Sequence, residues 1–289
     1  MTTSMTIDDL ARANRPAQFS LLERAAEVFV SSPAVTRLAV RGSLAAGTAD
    51  RLSDIDFIVG ITDLELRRFV SVLDSLIATE LGALFPGWRD TIVRRMGGLG
   101  YVYLVTNNDR LYQVDLYLVP ASIAPAVERR TNAHVLHTSP IAPSGTDSSV
   151  AEFIESELAR PQSCGELLVE ICVIVEMLGK QINRGERFLI HAQTGLLLNA
   201  LKELIKAALA PASTSWGWYH LREDLGRTPI GRTCLLELYA LMAAPPIRTM
   251  DVLRSTFRRV LEIARRASPE TLKADAAALD AFRHYLELA

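Results

Sequence analysis

Cysteine, histidine, net charge and long apolar runs are all scarce in this chain of 289 residues. The 31 Lys and Arg nearly balance the 33 Asp and Glu, leaving a net charge of −2. A protein that grips long nucleic acid over its whole surface normally carries a basic excess, so the balance disfavours that class while leaving room for a local basic patch. The three cysteines, Cys164, Cys172 and Cys234, form no Cys-x-x-Cys pair, and the five histidines are scattered. That excludes a regular zinc or disulfide framework and fits reduced, mostly buried thiols in a cytoplasmic protein. The first residues, Met1 to Asp9, lack the basic segment and apolar core expected of a signal peptide. The most apolar run, Leu167–Leu178, contains Glu170 and Glu176 and is too short to span a bilayer, so no membrane partner is expected. Internal repeats and low-complexity tracts are missing as well.

What the chain does have is apolar mass: 49% hydrophobic residues against 22% charged, enough for the cores of two domains of ordinary size. The N-terminal half mixes helix and strand signals. Helical periodicity covers 7–14 and 17–31, broken at Pro16 and ended by Ser31-Ser32-Pro33. Strands are expected at Val35–Val40 and Asp54–Gly60. Thr62 and Glu65 then suggest a capping box that opens a helix to Leu81. Further strands are expected near Thr91–Arg94, at Tyr101–Thr106 and at Leu111–Val119, the last two joined by a turn at Asn107-Asn108-Asp109. Residues 138–149, rich in Pro, Ser and Gly, read as a linker. Beyond them every segment reads as helix: about 149–159, 164–184, 187–209, 218–226, 231–242, 247–267 and 269–287, with Ser268 as N-cap and Pro269 at the first position of the last. The expected fold class is α+β, a mixed-sheet domain over 1–140 followed by a helical bundle over 149–289.

The most informative stretch runs from Arg41 to Val59. It reads as a strand ending in Gly42-Ser43, a short helical turn, and a second strand opening Asp54-Ile55-Asp56. Strand side chains alternate faces, so Asp54 and Asp56 point one way while Ile55, Phe57 and Val59 point to a core. Two neighbouring carboxylates repel unless a cation neutralises them, and a divalent metal does so well. Backbone N–H groups at the Gly-Ser turn suit phosphate oxygens. A third carboxylate, Asp115, lies mid-strand opposite the apolar face of Tyr112, Val114, Leu116 and Leu118, where an acid is disfavoured by propensity.

Gly-Ser followed after about a dozen residues by Asp-x-Asp resembles the signature of the DNA-polymerase-β-like nucleotidyltransferase superfamily and, within it, the antibiotic (aminoglycoside- and lincosamide-type) nucleotidyltransferases. The specific residues lie within roughly 35–120, and Asp115 resembles the superfamily's third carboxylate. The resemblance implies a nucleoside triphosphate, most simply ATP, with Mg2+ as cofactor. It further implies transfer of a nucleoside monophosphate to a hydroxyl of a small molecule and release of pyrophosphate. Asp54, Asp56 and Asp115 would then be the metal-holding and catalytic carboxylates, with Asp115 taking the second metal or the hydroxyl's proton. Gly42 and Ser43 would hold a phosphate. Arg41 and Ser53 complete the nucleotide side, although Arg41 could equally form a salt bridge and Ser53 could cap the turn.

The helical half is expected to hold the acceptor. At 100° per residue Glu166, Glu170 and Glu176 share an arc of about 120°, either a solvated stripe or an acidic wall for a cationic acceptor. Glu170 and Glu166 are the candidates there, together with His191 as a polar contact. The cluster Trp216, Trp218 and Tyr219 reads as a hydrophobic anchor or a stacking platform. Arg254, Arg258, Arg259, Arg265 and Arg266 give one late helix a basic side, which suits a solvated face or a nucleic-acid contact. The expected activity is therefore nucleotidyl transfer to a small antibiotic-like acceptor by a monomer or homodimer. Toxin-type transfer to tRNA or protein is the alternative, followed by a non-catalytic nucleotide-binding module.

Overall fold

A computed structural model describes residues 6–7, 18–90, 96–139 and 148–288. The expected helix over 7–14, the strand over 91–94 and most of the 138–149 linker lie outside the described residues. The chain divides into two compact units, Met1–Arg160 and Pro161–Ala289. The first is α+β around a six-stranded mixed sheet, and the second is helical.

In the first unit, α1 (Phe19–Val30) leads into β1 (Val35–Arg41), a short α2 (Gly42–Ala46), β2 (Ile55–Ile61), α3 (Leu66–Leu81), β3 (Trp88–Asp90), β4 (Leu99–Asn107), β5 (Arg110–Pro120), α4 (Ala124–Arg130), β6 (His134–Thr138) and α5 (Ser148–Ala159). The sheet order is β3-β4-β5-β2-β1-β6. Only the central β2–β5 pair is parallel; the remaining neighbours run antiparallel. β4 and β5 form a hairpin closed by Asn108 and Asp109, whose φ of 49° and 57° are what a tight two-residue turn needs.

Period-2 patterning decides which face is which. Leu38 and Val40 of β1, Ile55, Phe57 and Val59 of β2, and Val114, Leu116 and Leu118 of β5 belong to one core with the apolar stripes of α1, α3 and α5. The opposite face is thinner. Ala39, Ile58, Tyr117 and Val119 lie under Ala124 and Val127 of α4. Arg37 locks α4 onto β1 through a bidentate bond to Glu128, with both N···O distances at 2.7 Å.

The boundary differs from the sequence expectation. It falls after α5, because Val150, Phe153, Ile154 and Leu158 complete the core of the sheet. The buried Arg89 of β3 then donates to the carbonyl oxygens of Glu157 and, at 2.6 Å, Arg160, holding the C-terminal end of α5 as a cation does well there. One expected cap also differs. Thr62 makes no side-chain cap, and a 3-10 turn over Asp63–Glu65 opens α3 instead.

The second unit contains α6 (Cys164–Arg184), α7 (Arg187–Leu209), a 3-10 turn over Pro211–Trp216, α8 (Leu221–Gly226), α9 (Pro229–Met242), α10 (Met250–Ala267), α11 (Pro269–Ala274) and α12 (Ala276–Leu288). α6 and α7 form an antiparallel hairpin about Gly185, and α10 packs against both. The expected last helix over 269–287 is two helices, broken at Asp275. Ser268 stands at the N-cap with Pro269 opening α11, as expected, but its hydroxyl pairs with the Thr271 hydroxyl at 2.8 Å and makes no bond to the backbone. No helix of the described residues is long and apolar enough to cross a membrane.

Candidate active site

The thin sheet face carries the carboxylates. Arg41 of β1 pairs in register with Asp56 of β2, and Asp56 with Asp115 of β5, so three charged residues form one row across neighbouring strands. The next row is Ala39, Ile58 and Tyr117, covered by α4. The acids thus lie where that cover ends, half-buried at the end of the sheet. Asp54 precedes β2 by one residue and is also half-buried.

Each acid has a specific neighbour. Arg41 Nη2 is 3.1 Å from Asp56 Oδ1, an ion pair with side chains 23% and 18% exposed. Gln113, buried two positions before Asp115 on the same strand face, donates from Nε2 to Asp115 Oδ1 at 2.8 Å. Gly42 begins α2 with φ 72°, and a Cβ there would come within 2.4 Å of Asp56 Oδ2. The Gly-Ser turn therefore sets bare backbone against the Asp56 carboxylate, a contact that a residue with a side chain could make only by displacing Asp56 Oδ2. Ser43 follows in α2, half-buried, its carbonyl accepting from Thr48 N–H at 2.9 Å.

Tyr117, one row in, has its phenol pushed up to about 12 by burial; the Gly98 backbone, Arg130 and Arg41 pull it down, and Asp90 pushes it up. Asp90 pairs with Gly100 of β4, itself opposite Tyr117, so a fourth acid stands near this face. Nothing along the chain marks Asp90, because the register of β3 is a non-local property. Gln113 was visible only as a face-mate of Asp115.

Among the described residues no three His, Cys, Asp or Glu side chains form a ready-made metal-holding group. Asp56 is engaged by Arg41 and Asp115 by Gln113. The donor chemistry still suits a hard divalent cation. Two carboxylates stand in register on adjacent strands, and a guanidinium supplies the positive charge that such a cation would bring.

The other candidates separate. Ser53 is buried, and its hydroxyl works inside the turn, accepting from Asp50 N–H and donating to Asp50 Oδ1, both at 2.9 Å. That is the capping role the sequence offered for Ser53. In the helical unit Glu166 closes a capping box with Ser163, accepting its N–H at 2.8 Å, so this carboxylate caps the start of α6. Glu170 accepts from Gln162 at 2.8 Å. Glu176 stands 4.0 Å from Lys180. His191 is exposed on α7 at the rim of a cavity within the helical unit.

Trp216, Trp218 and Tyr219 are exposed, so they do not anchor a core. The segment bearing them is tied down by the buried Lys206, which donates to the Gly217 carbonyl at 3.0 Å and lies 3.6 Å from Asp224. Of the late arginines, Arg254 donates to the Leu286 and Glu287 carbonyls, and Arg266 pairs with Glu237. The basic side is thereby partly used within the helical unit.

No family model and no curated protein matches this chain.

Proposed function

We propose that this chain is a divalent-metal-dependent nucleotidyltransferase that moves a nucleoside monophosphate, most simply AMP from ATP, onto a hydroxyl of a small molecule such as an aminoglycoside-like antibiotic. The observation that carries the reading is the register of Asp56 with Asp115, with the bare backbone of Gly42 set against the Asp56 carboxylate. The Gly-Ser and Asp-x-Asp resemblance supports it. On this reading Asp54, Asp56 and Asp115 hold Mg2+, which supplies charge neutralisation for the triphosphate and the departing pyrophosphate. Gly42 and Ser43 offer backbone N–H groups to a phosphate. Arg41, which neutralises Asp56 in the structure, would offer its guanidinium to a phosphate oxygen if a cation took over that role. Gln113 steadies Asp115, which takes the proton of the attacking hydroxyl.

Incubation with α-labelled ATP, Mg2+ and a panel of aminoglycosides and lincosamides tests the proposal. Label should move to an acceptor with release of pyrophosphate. Asp56→Asn and Asp115→Asn should each lower the rate by roughly a hundredfold or more with unchanged circular dichroism. Undiminished transfer in both variants would place the chemistry elsewhere. Total tRNA and lysate protein, added in parallel, decide whether the acceptor is a macromolecule.

A further inference from the structure

The helical unit contains a cavity of about 690 Å³ lined by the end of α6, the first half of α7, the end of α9, the Pro245-Pro246 loop and Thr256 of α10. A volume of several hundred Å3 suits one small organic molecule. Its walls are hydrocarbon: Ile182, Leu197, Leu198, Leu241 and Ile247 among others. Its ionisable side chains are all of basic type. Arg187, His191 and Arg248 line it, and among the described residues that do so none is acidic. All three are exposed, so the basic groups ring the mouth while the interior is apolar.

A second observation points the same way. Gly195 lines the cavity from the interior of α7, where glycine is the least favourable residue apart from proline. Neither of the usual reasons for a glycine applies. Its backbone is helical with no positive φ, and a Cβ there would meet nothing within 4 Å. Gly195 is exposed, and a side chain at this position would extend into the open space that borders the cavity.

We propose that this cavity binds an amphipathic anion, a hydrocarbon carboxylate whose chain fills the apolar interior and whose head is held at the mouth by Arg187, His191 and Arg248. The site belongs to the helical unit alone and does not depend on the transfer reaction proposed above.

Calorimetric titration of the full-length protein with decanoate, decanol and decylamine tests this. Decanoate should bind at one site per chain, and decylamine at least about tenfold more weakly, since the rim repels its charge. Gly195→Leu fills the space with a better helix former. It should weaken decanoate by about tenfold or more while leaving the melting temperature unchanged or higher. Arg248→Ala should weaken decanoate severalfold and leave decanol unaffected. Equal binding of decanoate and decylamine, undiminished decanoate binding by a folded Gly195→Leu protein, or no saturable binding of decanoate would each overturn the proposal.

Discussion

Gly42 shows how closely one backbone position and one carboxylate depend on each other. Its φ of 72° is in the left-handed region, and the space its Cβ would need is taken by Asp56 Oδ2 at 2.4 Å. Gly42→Ala therefore meets two penalties, the dihedral and the clash, and should cost about 1–3 kcal/mol in urea denaturation. Relief of the clash would push Asp56 away from Arg41, so any transfer activity should fall by more than the loss of folded protein accounts for. The Gly-Ser signature marked the turn as a backbone site for phosphate, without the steric requirement for glycine. The identity of its neighbour was not legible either, because Gly42 and Asp56 meet only when β1 and β2 pair.

At the scale of elements, periodic patterns located most helices and strands, and α6 and α7 keep the bounds expected of them. The expected 269–287 helix failed because its alanine-rich sequence contains no Gly or Pro to mark the break at Asp275. Burial raises the Asp275 carboxyl above its ordinary 3.8. The folded protein thus holds this proton more tightly than the unfolded chain does. Its contribution to stability is present below about 3.8 and is lost as pH rises through the raised value. Asp275→Asn, which cannot ionise, should match the natural protein near pH 3 and melt higher at neutral pH, as thermal unfolding across that range would show. A lower melting temperature for the variant at neutral pH would contradict the burial argument.

For the whole molecule, the division into an α+β unit and a helical unit was visible as a change from mixed to purely helical periodicity. Its position was set one helix too early. The sequence signal for α5 is a helical stripe, which tells that the helix has an apolar side but not which core receives it. In the structure Phe153, Ile154 and Leu158 go to the sheet, and Arg89 holds the end of the helix. A chain of residues 1–160 should accordingly be expressed soluble and unfold cooperatively. One ending at 147 should aggregate or melt at least several degrees lower, measured by calorimetry on both.

By itself the sequence determined what depends on near neighbours along the chain. It set the strand alternation that puts Asp56 opposite the core, the apolar stripes of the helices, and the tight turn at Asn108-Asp109. Tertiary structure alone decided the parallel crossover that brings Asp115 level with Asp56, the engagement of Asp56 by Arg41, and the cavity beside Gly195. The physical reason is range. Dihedral preference and side-chain periodicity act over a few residues, whereas strand register, ion pairing and enclosed volume depend on segments about 60 residues apart meeting only when the whole core closes.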